Sequence, residues 1–107
     1  MSYDVRLTRK AEQQLNEAVD WWAEHRSAEQ AARWHTGIVN AMLSLSVKPE
    51  RCRLARENRS VPIEIRELHY GLGHRPSHRV IFAIRQDRVV VYAIRHVAQD
   101  DLTEEDL

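Results

Sequence analysis

The stretch RVIFAIRQDRVVVYAIR, residues 79–95, carries the strongest strand pattern of this 107-residue chain. Two apolar runs, 79–85 and 88–95, flank the dipeptide Gln86-Asp87, which is short enough for a tight hairpin connection. The second run is apolar without interruption from Val89 to Ile94, as is typical of a strand that is covered on both faces. The two runs therefore predict an antiparallel hairpin at the centre of a sheet.

A third strand is predicted before this hairpin. Residues 61–66 alternate between apolar and polar side chains, the pattern of a half-buried strand. The loop 71–77, rich in Gly and Pro, connects it to the hairpin. If Val61, Ile63 and Ile65 pack on the same layer as Val80, Phe82 and Ile84, then Arg66 and Arg79 project together from the opposite face.

The N-terminal half predicts a short strand and two helices. Residues 3–7 alternate as a strand does, and residues 8–25 then carry apolar side chains every three or four positions. A second helix over 28–48 starts behind Ser27, at the spacing of a capping box, and stops at Pro49. Because the connection between the helices is very short, they must fold back as an antiparallel hairpin.

These elements predict a single α+β domain over 1–107. Their order is β-α-α-β-β-β, with the helix hairpin packed on one face of a mainly antiparallel sheet of three to four strands. No apolar run reaches the length of a membrane span, and the N-terminus carries no secretory signal. We therefore expect a cytoplasmic protein that does not enter membranes.

The charge is balanced overall but divided along the chain. Sixteen basic and 16 acidic residues give a net charge of zero, which excludes a simple basic protein that binds nucleic acid. Residues 51–95, however, carry ten arginines against four acidic residues, whereas the tail, about 98–107, holds only acidic charges. We expect the tail to be solvated, although it could also fold back near the basic sheet face.

Two arginines and one histidine are candidates for chemistry. Arg66 and Arg79 could clamp an anion between neighbouring strands, or they could be solvated charges. His96 ends the last strand and could act as a general acid or base, or simply bond a neighbouring carbonyl. Strict alternation places His96 on the face of Tyr92 and Ile94, and a β-bulge would reverse that assignment.

Two adjacent tryptophans are candidates for a partner contact. Trp21 and Trp22 lie on the first predicted helix, where neighbouring side chains point about 100° apart. At least one of them must therefore lie at the margin of the core, where a partner protein can contact it.

The sequence resembles the RelE/ParE superfamily of toxins from bacterial type II toxin–antitoxin systems. The resemblance covers nearly the whole chain and keeps the order of the elements. The matching pieces are Tyr3-x-Val5-x-Leu7-Thr8-x-x-Ala11 with Leu15, the helix ending at Pro49, Ile65-Arg66-Glu67-Leu68, His78-Arg79-Val80-Ile81-Phe82 and Val91-Tyr92-Ala93-Ile94-Arg95-His96. The resemblance implies a compact α+β toxin that a small cognate antitoxin wraps and neutralises, in a heteromer.

The superfamily contains two activities, of which we expect ribosome-dependent mRNA cleavage without a metal or cofactor. The resemblance then implies that Arg66 and Arg79 hold the scissile phosphate and stabilise its developing charge. His96 would protonate the leaving oxygen, and Glu67 or Glu64 would activate the ribose 2′-hydroxyl. Further RNA contacts are expected from the arginines of the basic segment and from an aromatic ring, namely Arg53, Arg56, Arg75, Arg85 and Tyr70.

The alternative activity is inhibition of DNA gyrase, as in ParE-like members, for which the helix hairpin is the relevant element. A third alternative is a catalytically inactive member that only binds its antitoxin. The structure can separate these hypotheses. Arg66 and Arg79 converging with His96 on one open concavity would favour the nuclease, whereas ion pairs of these arginines with Glu64 or Glu67 would favour the other two classes.

Overall fold

The computed structural model describes residues 2–107. Its helices and strands are β1 (Asp4–Leu7), α1 (Arg9–His25), α2 (Ala28–Leu43), β2 (Arg66–Tyr70), β3 (His78–Arg85) and β4 (Arg88–His96). The four strands form one sheet in the order β1-β4-β3-β2. β1 runs parallel to β4, and the other neighbours are antiparallel. The predicted α+β class and the order β-α-α-β-β-β are confirmed.

The helix hairpin begins at two capped N-termini. The Thr8 hydroxyl oxygen accepts a hydrogen bond from the Ala11 amide at 3.1 Å, and the Ser27 hydroxyl oxygen accepts one from the Gln30 amide at 3.0 Å. Each bond satisfies an amide that has no partner within its own helix. Both helices then bury their apolar stripes against one face of the sheet, as predicted.

The second helix is shorter than the sequence indicated. α2 ends at Leu43, and a short 3-10 turn, Ser44–Ser46, follows it before the backbone turns left-handed at Lys48 with φ 48°. The Arg51 guanidinium donates hydrogen bonds to the carbonyls of Val47 and Lys48 at 2.7 and 3.1 Å. These bonds stabilise the turn that follows the helix and leads into Pro49.

The predicted strand over 61–66 is wrong. The strand begins only at Arg66, because the Ile65 amide donates to the Asn58 side chain and the Ile65 carbonyl accepts from Ala55. Ile65 is fully buried in a second apolar cluster on the sheet face away from the helices. Arg66 therefore falls on the helix side of the sheet, since successive strand residues point to opposite faces.

The acidic tail packs back on the sheet with most of its charged side chains exposed, so the expectation of a tail that is free in solvent is wrong. Leu102 is 2% exposed and completes the second cluster together with Ala55, Ile65, Ile81 and Ala93. Ion pairs hold the tail to the rest of the chain: Arg56 lies 2.7 Å from Asp101, and Lys10 lies 3.8 Å from Asp106. Basic side chains thus attract the tail, and one leucine anchors it over the second sheet face.

A β-bulge in β4 decides which way its last residues point. Phe82 lies opposite Val91 but Ile81 lies opposite Ala93, so Tyr92 is the extra residue. His96 and Ile94 follow the bulge and point to one face of the sheet, and Val91, which precedes the bulge, points to the same face. The bulge thus overrides strict alternation and turns His96 towards the helix side of the sheet.

No helix within residues 2–107 is long and apolar enough to cross a membrane.

Candidate functional site

Arg79 is buried in a network of carboxylates on the second face of the sheet. Its side chain is 2% exposed. Its guanidinium donates to both oxygens of Glu57, Nη1 to Oε1 at 2.9 Å and Nη2 to Oε2 at 2.5 Å. Nη1 also donates to Glu67 Oε1 at 3.1 Å. A bidentate pair of this kind is among the strongest contacts of an arginine, so internal carboxylates occupy the guanidinium that was expected to bind phosphate.

The pKa values keep this network ionised at neutral pH. Burial by itself would raise the pKa of Glu57, but hydrogen bonds from Arg79 and from the Leu102 amide outweigh it and lower the pKa to about 2. Hydrogen bonding to Glu57 raises the pKa of Arg79. Glu57 and Arg79 therefore both stay charged at neutral pH and compensate each other inside the protein.

Glu67, predicted as a possible general base, is held in the same network by several partners. Its side chain is 4% exposed, and Oε1 also accepts from the Arg56 amide at 3.0 Å. Oε2 bonds the His69 ring, and Arg53 Nη2 lies 3.6 Å away. Although burial raises the pKa of Glu67, these hydrogen bonds and the Arg79 charge lower it below its ordinary value. Removal of a proton from a ribose hydroxyl would need a more accessible and more basic group.

A cavity of about 380 Å³ opens above this network. The structure brings together four of the predicted residues there, in a lining formed by Arg53, Leu54, Arg56, Glu67, His69, Arg79 and Val97. Arg66 is absent from this lining.

Arg66 lies on the opposite face of the sheet from Arg79. It pairs in register with Phe82, which belongs to the core under the helices. Its Nη1 donates to the Cys52 carbonyl at 2.6 Å, and its Nη2 lies 3.3 Å from Glu64 Oε1. The expectation that Arg66 and Arg79 project from one face is therefore wrong, because the sheet separates them.

His96 forms a pair with a second histidine and lies far along the sheet from Arg66. His96 and His78 are cross-strand neighbours with ring centroids 5.4 Å apart, and His78 packs edge-on against Trp34 at 4.9 Å. Burial, and then the His96 charge, lower the pKa of His78 to about 4. The residue opposite Arg66 is Phe82, which lies four residues further along β3 than His78, the residue opposite His96. Four strand residues correspond to about 13 Å. His96 and Arg66 therefore do not converge.

A second cavity, about 580 Å³, lies between α1 and the ends of β3 and β4. Its walls contain both tryptophans predicted as partner contacts and the histidine pair, in a lining formed by Gln14, Glu17, Ala18, Trp21, Trp22, Ser77, His78, Ile94, His96 and Gln99. Trp21 is 46% exposed, and Trp22 is half-buried. At least one of the two tryptophans thus lies at the margin of the core, as predicted, where the surface forms an open groove lined by aromatic side chains.

Comparison with known proteins decides the family. Residues 5–101 match the family model described as the ParE toxin of the type II toxin–antitoxin system, parDE. The chain belongs to the ParE toxin family. The predicted superfamily is thereby confirmed, and the protein is the toxin of a type II toxin–antitoxin system whose partner is a cognate antitoxin.

The fold of this toxin is shared with a solved structure. That structure, "Chromosomal ParDE TA system from P. aeruginosa", superposes with a TM-score of 0.73 at 18% sequence identity, and the match covers 90% of this chain and 97% of that one. At this identity the likeness concerns the fold. No curated protein sequence matches the chain.

The remaining residues predicted for RNA contact are dispersed over the toxin. Arg75 is exposed in the loop before β3, and Arg85 is exposed at the far end of that eight-residue strand, about 25 Å away. Arg85 Nη2 lies 3.4 Å from the Tyr92 hydroxyl. Tyr70 is half-buried and packs edge-on against Trp34 at 6.1 Å. Its ring belongs to the helix–sheet interface and is not a platform for a base.

Sequence reasoning missed three residues of these sites. Glu57 stood in a segment that reads as a loop, and nothing local shows that it reaches Arg79, 22 positions away. His78 and Glu17 were also not assigned. Glu17 stands four positions before Trp21 on α1, and that spacing on one helix face is the signal that could have revealed it.

The part of the toxin that the structure describes contains no cluster of three or more His, Cys, Asp or Glu side chains arranged to hold a metal ion.

Proposed function

We propose that this toxin stops growth by binding and inhibiting DNA gyrase, rather than by cutting mRNA. The observation that carries the proposal is the state of Arg79. Its guanidinium is buried and bonded to Glu57 and Glu67, while Arg66 bonds Glu64 and Cys52 on the other face. RNA cleavage without a metal needs phosphate-binding and proton-transferring groups around one reacting atom, and this arrangement favours a different activity.

A protein target fits the surface of the helix hairpin. α1 presents Trp21, a large and partly exposed aromatic side chain, at the rim of the larger cavity. Exposed aromatic anchors beside a concave surface are typical of protein–protein contacts. Membership of the ParE family supports the same target. We place the toxin in the cytoplasm, where gyrase meets DNA, and expect it to form a heteromer with its antitoxin there.

The test compares both activities with one protein preparation. Purified toxin is added to gyrase with relaxed plasmid, and in parallel to a translation reaction whose mRNA is mapped by primer extension. We expect supercoiling to be blocked and the mRNA to stay intact. Arg66→Gln, checked for folding by circular dichroism, should inhibit gyrase as well as the unmodified toxin does.

The nuclease hypothesis makes the opposite prediction. Ribosome-dependent mRNA cleavage that Arg66→Gln abolishes, with supercoiling unaffected, would overturn the proposal. Inactivity of the folded toxin in both reactions would overturn it as well, and would identify a member that only binds its antitoxin.

A further inference from the structure

The cavity between α1 and the sheet is walled by two perpendicular indole rings and one carboxylate. The Trp21 and Trp22 ring centroids are 5.6 Å apart, and their planes meet at 87°. Glu17 lies one helical turn before Trp21 and lines the same cavity. His25 stacks on Trp21 at 4.8 Å with nearly parallel planes, which holds that ring in place.

The carboxylate in this cavity is unpaired among the residues that the structure describes. Within residues 2–107, Glu17 forms no ion pair, and no lysine or arginine lines the cavity. His78 is neutral at pH 7 because its pKa is lowered to about 4. Asp20 and Glu24 are exposed further along α1 and add to the negative field. A cationic group would therefore be attracted here.

Trp22 also carries a hydrogen-bond donor without an acceptor. Its indole nitrogen is buried and has no partner among the described residues. Buried donors are nearly always bonded in proteins, and each exception calls for an explanation. Because this nitrogen is buried, a ligand would reach it only after a shift of the Trp22 ring, whereas Glu17 is accessible without one.

We propose that this cavity binds an arginine side chain of gyrase. A guanidinium is planar, stacks on indole rings and donates paired hydrogen bonds to a carboxylate. An apolar side chain would fit less well, because it would remove Glu17 from water without giving it a partner. The inference rests on the proposed function, since it names the contact by which the toxin holds its target.

A peptide assay tests the chemistry of the cavity directly. The probes are acetyl-Gly-Arg-Gly-amide and the same peptide with citrulline, which is uncharged but similar in shape. Binding is followed by nuclear magnetic resonance shifts of the indole N–H groups of Trp21 and Trp22. We expect the arginine peptide to bind at least tenfold more tightly than the citrulline peptide, and this preference to be lost in Glu17→Gln.

The supercoiling assay tests whether gyrase uses the cavity. Glu17→Gln and Trp21→Ala each change an exposed side chain, so both variants should fold, and thermal unfolding verifies this. Each should need about tenfold more toxin for half-inhibition, the order of a lost cation–π or charge-assisted contact. Glu12→Gln is the matched control, because Glu12 is exposed on the same helix but outside the cavity.

The outcomes separate this inference from the proposed function. Toxin that does not inhibit gyrase at all overturns the proposed function and removes gyrase as the source of the arginine. Toxin that inhibits gyrase, with Glu17→Gln and Trp21→Ala equally potent, overturns the inference alone. Equal binding of the arginine and citrulline peptides also overturns it.

Discussion

At the scale of single residues, burial changes what an arginine can do. Arg79 looked like a phosphate ligand because arginine matches phosphate oxygens so well. The same geometry matches carboxylates, and Glu57 and Glu67 supply them at 2.9 and 3.1 Å from Nη1. The residue therefore joins the second sheet face to the loop and the tail that cover it. Its contribution is to stability, and this can be measured.

We predict that Arg79→Met destabilises the toxin by about 3–5 kcal/mol, because it leaves two buried carboxylates without a partner. Urea unfolding followed by circular dichroism measures the loss. Arg85→Met is the matched control, since Arg85 ends the same strand but is exposed, and its cost should stay within about 0.5 kcal/mol. A loss below about 1 kcal/mol for Arg79→Met would show that the network does not stabilise the packing of the loop and the tail on the sheet.

Glu57 should make stability depend on pH in the acid range. The pKa of Glu57 is about 2 in the folded toxin, whereas the ordinary value is 4.5. The stabilisation that Glu57 gives to the folded toxin is therefore complete above about pH 4.5 and is lost as the pH falls towards 2. The full effect is about 3 kcal/mol, since a tenfold change in proton affinity corresponds to about 1.4 kcal/mol. We expect the difference in unfolding free energy between the unmodified toxin and Glu57→Gln to shrink over that range. A difference that does not vary with pH would contradict this.

At the scale of elements, the approach of α2 to β2 depends on a glycine. A Cβ atom at Gly37 would lie 1.7 Å from the Tyr70 hydroxyl oxygen, which no L side chain could tolerate without movement. Gly37 therefore allows the Tyr70 ring to lie between the helix and the sheet, beside Trp34. This close approach is part of how the helix hairpin is seated on the sheet.

Gly37→Ala is expected to destabilise the toxin by about 1–3 kcal/mol, the usual cost of overpacking. This loss should exceed the gain of about 1 kcal/mol that alanine offers inside a helix. In a Tyr70→Ala background the same change should become neutral or stabilising, which a double-mutant cycle reveals. Gly73→Ala serves as the control, because nothing lies within 4 Å of a Cβ there. Equal costs in both backgrounds would refute the contact.

At the scale of the whole molecule, the acidic tail completes the fold. The helices cover one face of the sheet, and the second face would remain partly bare without residues 99–107. Leu102 fills the second apolar cluster, and its amide donates to Glu57 Oε2 at 3.0 Å. The tail thereby joins the apolar cluster to the Arg79 network. The helices on one side and the tail with its loop on the other thus cover both faces of the sheet. The uninterrupted apolar run of β4 predicts this arrangement.

The tail can be tested by one leucine substitution. Leu102→Ala should cost about 2–4 kcal/mol in the free energy of unfolding, the range for a buried leucine. The matched control is Leu43→Ala, because Leu43 is 56% exposed and its loss should stay within about 0.5 kcal/mol. Thermal and urea unfolding measure both variants. Equal effects would mean that the tail is solvated after all.

Much of the fold could be predicted from the sequence, but the arrangement of the candidate site could not. The helix stripes, the caps at Thr8 and Ser27 and the central hairpin follow from side chains within a few residues of one another, so local patterns reveal them. The direction of Arg66 depends instead on the register in which β2 pairs with β3. Because Arg66 lies opposite Phe82, the predicted sheet faces of Ile65 and Arg66 are both reversed.

Periodicity and short motifs along the chain are enough to predict the α+β class, the order of the elements and the superfamily. Which charged groups meet follows only from the way in which the chain packs. Arg79 finds Glu57 across 22 positions, Leu102 reaches Glu57 across 45, and the bulge at Tyr92 turns His96 to the helix side. Side-chain direction alternates with each residue, and ion pairs form across distant segments, so both depend on register and packing that no local pattern contains.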